Sequence, residues 1–240
     1  MSVLGNFARI GAGERDKREP EMAFNSESDT IQFRRWTWFL STTISWGLGW
    51  ALALTLLGEI PDDLMPTSPT LSFLMVPATA GGVIGLGQWL TLRRFLKGAW
   101  KWIPATTVGT VLAAVALIFG LLLATGELGG GFAQNPAAGM EAWVVPFLIG
   151  GTMAGALAGM SQWLVLRPHS QARALLLLAL VFGWSVGLAI MGIGLLWAIF
   201  MAASDVSTDF TVLGAVSGTI GGAIVGIVTG IPLAGRLRPR

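Results

Sequence analysis

Few residues in this chain have both the chemical type and the spacing to do chemistry. Gln88 and Gln162 stand out, each inside a long apolar run and each in the same setting. The first is Gly81-x3-Gly85-x2-Gln88-Trp89-Leu90-x-Leu92-Arg93; the second is Gly155-x3-Gly159-x2-Gln162-Trp163-Leu164-x-Leu166-Arg167. An amide in an apolar run needs a hydrogen-bond partner. It can serve as interhelical glue, as the polar lining of a solute path, or as a side-chain ligand to the metal of a pigment. Other reactive types are scarce. Cysteine is absent and His169 is the one histidine. That excludes disulfides, thiolate zinc sites, cysteine nucleophiles, multi-histidine metal sites and histidine-based triads.

The acidic groups make weak sites. Glu59-Ile60-Pro61-Asp62-Asp63 lacks the ligand density of a calcium loop, and Glu127, Glu141, Asp205 and Asp209 are scattered between apolar runs. Asn135-Pro136-Ala137 spells an aquaporin signature. A second copy on an opposed half-helix is missing, so it is a coincidence. Nor do the three hairpins carry the charged signature of mitochondrial carriers. The sequence therefore predicts a protein that is not an enzyme and indicates no cofactor, with Gln88 and Gln162 as the weak candidates should a pigment bind.

The elements that position the glutamines are set by composition. The chain of 240 residues is 53% hydrophobic and 12% charged, with a mean hydropathy of +0.69. A soluble domain carries roughly 25% charged residues, so this one lacks the charge to cover a surface facing water. Six apolar segments, Trp36–Gly58, Leu71–Leu92, Trp102–Thr125, Trp143–Leu166, Ala174–Ala203 and Thr211–Ala234, each reach the length that crosses a hydrocarbon core. The fifth exceeds it and is expected to tilt, or to bend near Gly187, Gly192 and Gly194. No segment interior contains an ionisable residue, which argues against a proton-coupled pump and an intramembrane protease.

All 15 Lys and Arg fall before the first segment, between the second and third, between the fourth and fifth, or after the sixth. The other three connections hold Glu59, Asp62, Asp63, Glu127, Glu141, Asp205 and Asp209, and no basic residue. Basic loops stay on the cytoplasmic side. Both termini are thus expected inside, the basic balance needs no nucleic-acid partner, and the bilayer is the expected one. The expected fold is an all-α integral membrane protein of six transmembrane helices, arranged as three parallel-repeat hairpins over 36–93, 102–167 and 174–236. Residues 1–35 read as a flexible cytoplasmic tail and 237–240 as a basic C-terminal tail. The expected location is a bacterial inner membrane, or a thylakoid.

Within lipid, helices associate through close packing of small residues rather than burial of apolar surface. Gly81 and Gly85, then Gly151, Gly155 and Gly159, then Gly214, Gly218, Gly222, Gly226 and Gly230 form four-residue rows that let a neighbouring backbone approach. Such rows pack the bundle or offer a face for self-association. Gln88 and Gln162 lie five residues before Arg93 and Arg167, about 7.5 Å below the inner boundary, with Thr42, Thr43, Ser45, Thr106, Thr107 and Thr110 as candidate partners. Trp89 and Trp163, with Arg93 and Arg167, read as interface anchors. Trp36, Trp38, Trp100 and Trp102 complete an inner aromatic belt, and Trp143 an outer one. Anchoring is the leading expectation for the inner basic loops, with lipid-specific recognition as the alternative.

At the Gly-x3-Gly-x2-Gln-Trp-Leu-x-Leu-Arg motif the chain resembles a loose group of multi-spanning bacterial membrane proteins found in cyanobacteria and related phyla. The resemblance covers segments two and four and fades in segment six, where Thr229-Gly230 stands in place of Gln-Trp. It implies a membrane location and an internal repeat, and no activity. The leading functional expectation is a non-enzymatic membrane scaffold or accessory subunit, partnered by other membrane subunits. The alternatives are a channel or facilitator for a small neutral solute, and a pigment- or quinone-associated subunit of a photosynthetic or respiratory complex.

Overall fold

The fold follows from the apolar segments, each of which must satisfy its backbone internally. A computed structural model describes residues 19–59, 69–125, 141–169, 173–203 and 209–234, with side chains over 35–56, 74–119, 148–169, 174–194 and 209–233. Among the described residues six long helices run α1 (Glu19–Glu59), α2 (Pro69–Leu92), α3 (Trp102–Thr125), α4 (Glu141–Leu166), α5 (Arg173–Ala203) and α6 (Phe210–Ala234). No strand occurs among the described residues. Five of the six, α1 and α3 to α6, are long and apolar enough to cross a membrane. In α2 the apolar run is diluted by Gly81, Gly82, Gly85, Gly87 and Gln88.

Starts and stops are legible in local chemistry. Pro69 opens α2, where its missing N–H costs nothing. Asp209 caps α6 by accepting from the N–H groups of Thr211 (2.8 Å) and Val212 (3.2 Å). One boundary differs from expectation. The flexible tail over 1–35 is replaced from Glu19 onward by helix, so α1 is 41 residues long; residues 1–18 and the tail at 237–240 lie outside the described residues. Pro20 sits in that first turn, which is compatible with helix, and no glycine interrupts the run from Glu19 to Arg35. The fifth segment, expected to tilt or bend, forms one continuous helix of 31 residues.

Each helix packs on its neighbours in sequence, and α6 packs back on α1, so the six close into a ring. Exposed Leu, Ile, Val and Phe side chains cover the outside, among them Leu48, Val108, Leu164, Leu178 and Ile227. Inside lie two apolar layers. One holds Trp38, Leu92, Trp102, Leu166, Leu180 and Leu233; the other holds Trp46, Trp50, Ala80, Ile84, Ala154, Trp184 and Val225.

Candidate functional site

Helical geometry brings residues four apart onto one face, and each helix turns such a row inward. On α2 the buried row is Ala80, Ile84, Gln88 and Leu92; on α4 it is Ala154, Ala158, Gln162 and Leu166; on α6 Val225, Thr229 and Leu233. Facing them are Trp38 and Thr42 on α1, Trp102, Thr106 and Thr110 on α3, and Leu180, Trp184 and Leu188 on α5. The polar members Thr42, Gln88, Thr106, Gln162 and Thr229 are all buried.

The two glutamines meet. Gln162 Nε2 donates to Gln88 Oε1 (3.2 Å) and to Thr106 Oγ1 (3.1 Å). Gln88 Nε2 donates to Thr42 Oγ1 over a longer 3.4 Å. Tryptophans donate to both amide oxygens: Trp102 Nε1 to Gln88 Oε1 and Trp184 Nε1 to Gln162 Oε1, both at 2.8 Å. On the far side of the ring, Trp38 Nε1 donates to Thr229 Oγ1 (2.9 Å), whose hydroxyl donates back to Val225 O (2.6 Å).

Gln88 Oε1 thus receives two donors, filling both lone pairs, and both N–H groups of Gln162 are used. Both glutamines have zero solvent exposure. This amide–indole network ties α1, α2, α3, α4 and α5 together and holds no carboxylate, thiol or imidazole. As arranged, it bridges helices; it offers Gln88 Oε1 to no further ligand.

Of the expected partners, Thr42 and Thr106 join the network. Ser45, Thr107 and Thr110 instead bond carbonyls of their own helices, and Thr43 Oγ1 has no partner. The indole donors were missed by sequence reasoning. Trp38 and Trp102, expected in the interfacial belt, are buried core residues at 4% and 0% exposure. The burial has a physical cause. Each lies one turn before Thr42 or Thr106 on the same inward face, where its N–H meets an acceptor. That four-residue spacing was the available signal. Trp36 and Trp100 are exposed, as a rim position requires, and Trp143 lies outside the described side chains. In contrast to the three paired indoles, Trp46 and Trp50 keep buried N–H groups without a partner. Trp46 packs against Trp184 with ring centroids 4.8 Å apart.

The glycine rows meet neighbouring backbones. A Cβ on Gly85 would come 3.1 Å from Ile103 Cα, and on Gly159 2.7 Å from Val181 N. Gly81 faces Thr110 and Thr107, Gly155 faces Ser185, and Gly151 faces Ala189 at an ordinary 3.6 Å. The α6 row lies along α1: Gly214 on Trp50, Gly218 and Gly222 on Trp46, Gly226 on Phe39 and Gly230 on Trp38. The α6 row is therefore occupied within the chain and closes the ring. At the rim, Arg93 lies over the Trp89 ring (5.2 Å) and Arg167 over the Trp163 ring (5.4 Å). The acidic candidates Glu59, Asp62, Asp63, Glu127, Glu141 and Asp205, and Asn135-Pro136-Ala137, lie outside the described side chains.

No known protein family, curated protein or solved structure matches the chain.

Proposed function

We propose that the chain is a six-span membrane protein of three repeated hairpins, with its basic connections and both termini on the cytoplasmic side, acting as a non-enzymatic scaffold or accessory subunit of a larger membrane assembly. The observation that carries this reading is the internal pairing of Gln88 and Gln162. The two most suspicious polar groups are fully buried and spend their hydrogen bonds on Trp102, Trp184, Thr42, Thr106 and each other. A solute path would keep such groups wet, and a pigment ligand at Gln88 would keep a lone pair of Oε1 free.

The repeat is supported by packing as well as by the motif. Gly81 and Gly85 approach α3, Gly155 and Gly159 approach α5, and Gly222 and Gly226 approach α1. The pairs Trp102–Gln88, Trp184–Gln162 and Trp38–Thr229 cross those same three seams. Three hairpins joined head to tail around an axis along the membrane normal place like seams in like positions. The sixth span, α2, has 24 residues, about 36 Å at 1.5 Å per residue, enough to cross.

Extraction of the tagged full-length chain from its native membranes in mild detergent tests the proposal. A stoichiometric membrane partner is expected to travel with it. A lone chain, or solute flux in proteoliposomes that Gln88→Leu with Gln162→Leu abolishes while the fold persists, would contradict it.

A further inference from the structure

We infer that the connection between α2 and α3 is a binding site for the phosphodiester headgroup of an anionic phospholipid, formed by Arg94, Lys97 and Lys101 with Trp100 beside them. The connection is a built turn. Phe95 and Leu96 donate their N–H groups to Leu92 O at 2.9 Å, and Lys101 donates to Gly98 O at 3.1 Å. Gly98 takes the left-handed conformation at φ 73°. A Cβ there would meet nothing, so glycine is required by the backbone conformation and not by crowding. Leu96, Ala99 and Trp102 point down into the inner apolar layer. That fixes the intervening side chains: Arg93, Arg94, Lys97, Trp100 and Lys101 face outward, with Trp100 at 61% exposure.

These cations are in surplus over what anchoring requires. Arg93 is held over Trp89, and Arg167 is held over Trp163 at the matching end of α4, where Pro168 and His169 follow and the next cation is Arg173, at the start of α5. One stacked arginine per helix end thus serves at α4. Among the described side chains no carboxylate pairs with Arg94, Lys97 or Lys101. Among the described side chains the one carboxylate is Asp209, capping α6 at the opposite end of the bundle. Three exposed cations on one built turn beside an exposed indole, at the rim of a helix bundle with an apolar exterior, match one chemistry closely. The phosphate sits among the cations, and the indole lies at the ester level of the bilayer. This inference rests on the membrane reading above and not on the scaffold role, which the partner experiment tests separately.

The test is native mass spectrometry of the full-length chain in neutral detergent, titrated with phosphatidylglycerol or phosphatidylcholine. The wild type is expected to retain phosphatidylglycerol preferentially. Each cation near an anionic phosphate contributes about five-fold to affinity, so Arg94→Gln with Lys97→Gln and Lys101→Gln should weaken retention on the order of 100-fold and abolish the preference. Retention by the wild type should also fall as salt is raised, because the cations are exposed; that arm stands even if the triple variant fails to fold. Equal retention of the two lipids, a preference indifferent to salt, a folded triple variant that keeps it, or displacement of the lipid by millimolar inorganic phosphate would each overturn the inference.

Discussion

Replacing Gln162 by leucine tests whether the buried amides hold the bundle. Leucine fills nearly the same volume, so no large cavity confounds the result. Three side-chain hydrogen bonds are lost: to Gln88 Oε1, to Thr106 Oγ1 and from Trp184 Nε1. At roughly 0.6 kcal/mol for an interhelical hydrogen bond in a membrane, the loss is about 2 kcal/mol. The substitution also strands the Trp184 N–H in a site with zero exposure, which adds to the cost. Removing both partners should recover part of it. A double-mutant cycle of Gln162→Leu and Trp184→Phe is therefore expected to give a coupling of about 1 kcal/mol. The assay is reversible unfolding in mixed micelles with increasing denaturing detergent, followed by tryptophan fluorescence, with lipid-facing Met160→Leu as the control. If Gln162→Leu lies within about 0.5 kcal/mol of wild type, the level of an ordinary surface change, and the coupling is nil, the amides are not structural and the scaffold reading loses its support.

In the same assay, Trp102→Phe should cost more than Trp46→Phe by about 1 kcal/mol. Both indoles have zero exposure, but the Trp102 N–H is bonded and that of Trp46 is not; equal costs would mean the paired indole contributes only volume. Gly159→Ala should destabilise by about 1–3 kcal/mol, since its Cβ would lie 2.7 Å from Val181 N. Gly82→Ala, whose Cβ would meet Thr107 Oγ1 at 3.9 Å, should be neutral or slightly stabilising because alanine is the better helix former. A reversed order in that pair would place the α4–α5 seam elsewhere.

Much of the fold was legible because a membrane span announces itself by length and hydropathy. The apolar limits of α3 and α6 differ from the observed helices by at most a residue. The start of α1 was not legible. Residues 19–35 are polar enough to read as a tail, yet nothing in them breaks a helix once Trp36 onward is fixed. For the candidate site, Thr42 and Thr106 could be named from depth alone. The indoles were assigned to the interface because tryptophan favours it. That preference is a statement about the average site, whereas Trp38 and Trp102 lie on the face that ring closure turns inward. Which face turns inward depends on α6 returning to α1, a long-range pairing that no local pattern encodes.

That closure is the point on which the arrangement of the glutamines, the occupied α6 row and the two buried layers all depend. Thr55 and Thr211 report on it, since their Oγ atoms lie 2.9 Å apart between α1 and α6, and the chain has no cysteine of its own. A disulfide needs Cα atoms within roughly 7 Å, which only adjacent helices provide. In isolated membranes under mild oxidation, Thr55→Cys with Thr211→Cys should give an intramolecular bridge, seen as a monomer whose gel mobility changes on reduction. Free thiols, or disulfides formed only between chains, would contradict the closed ring.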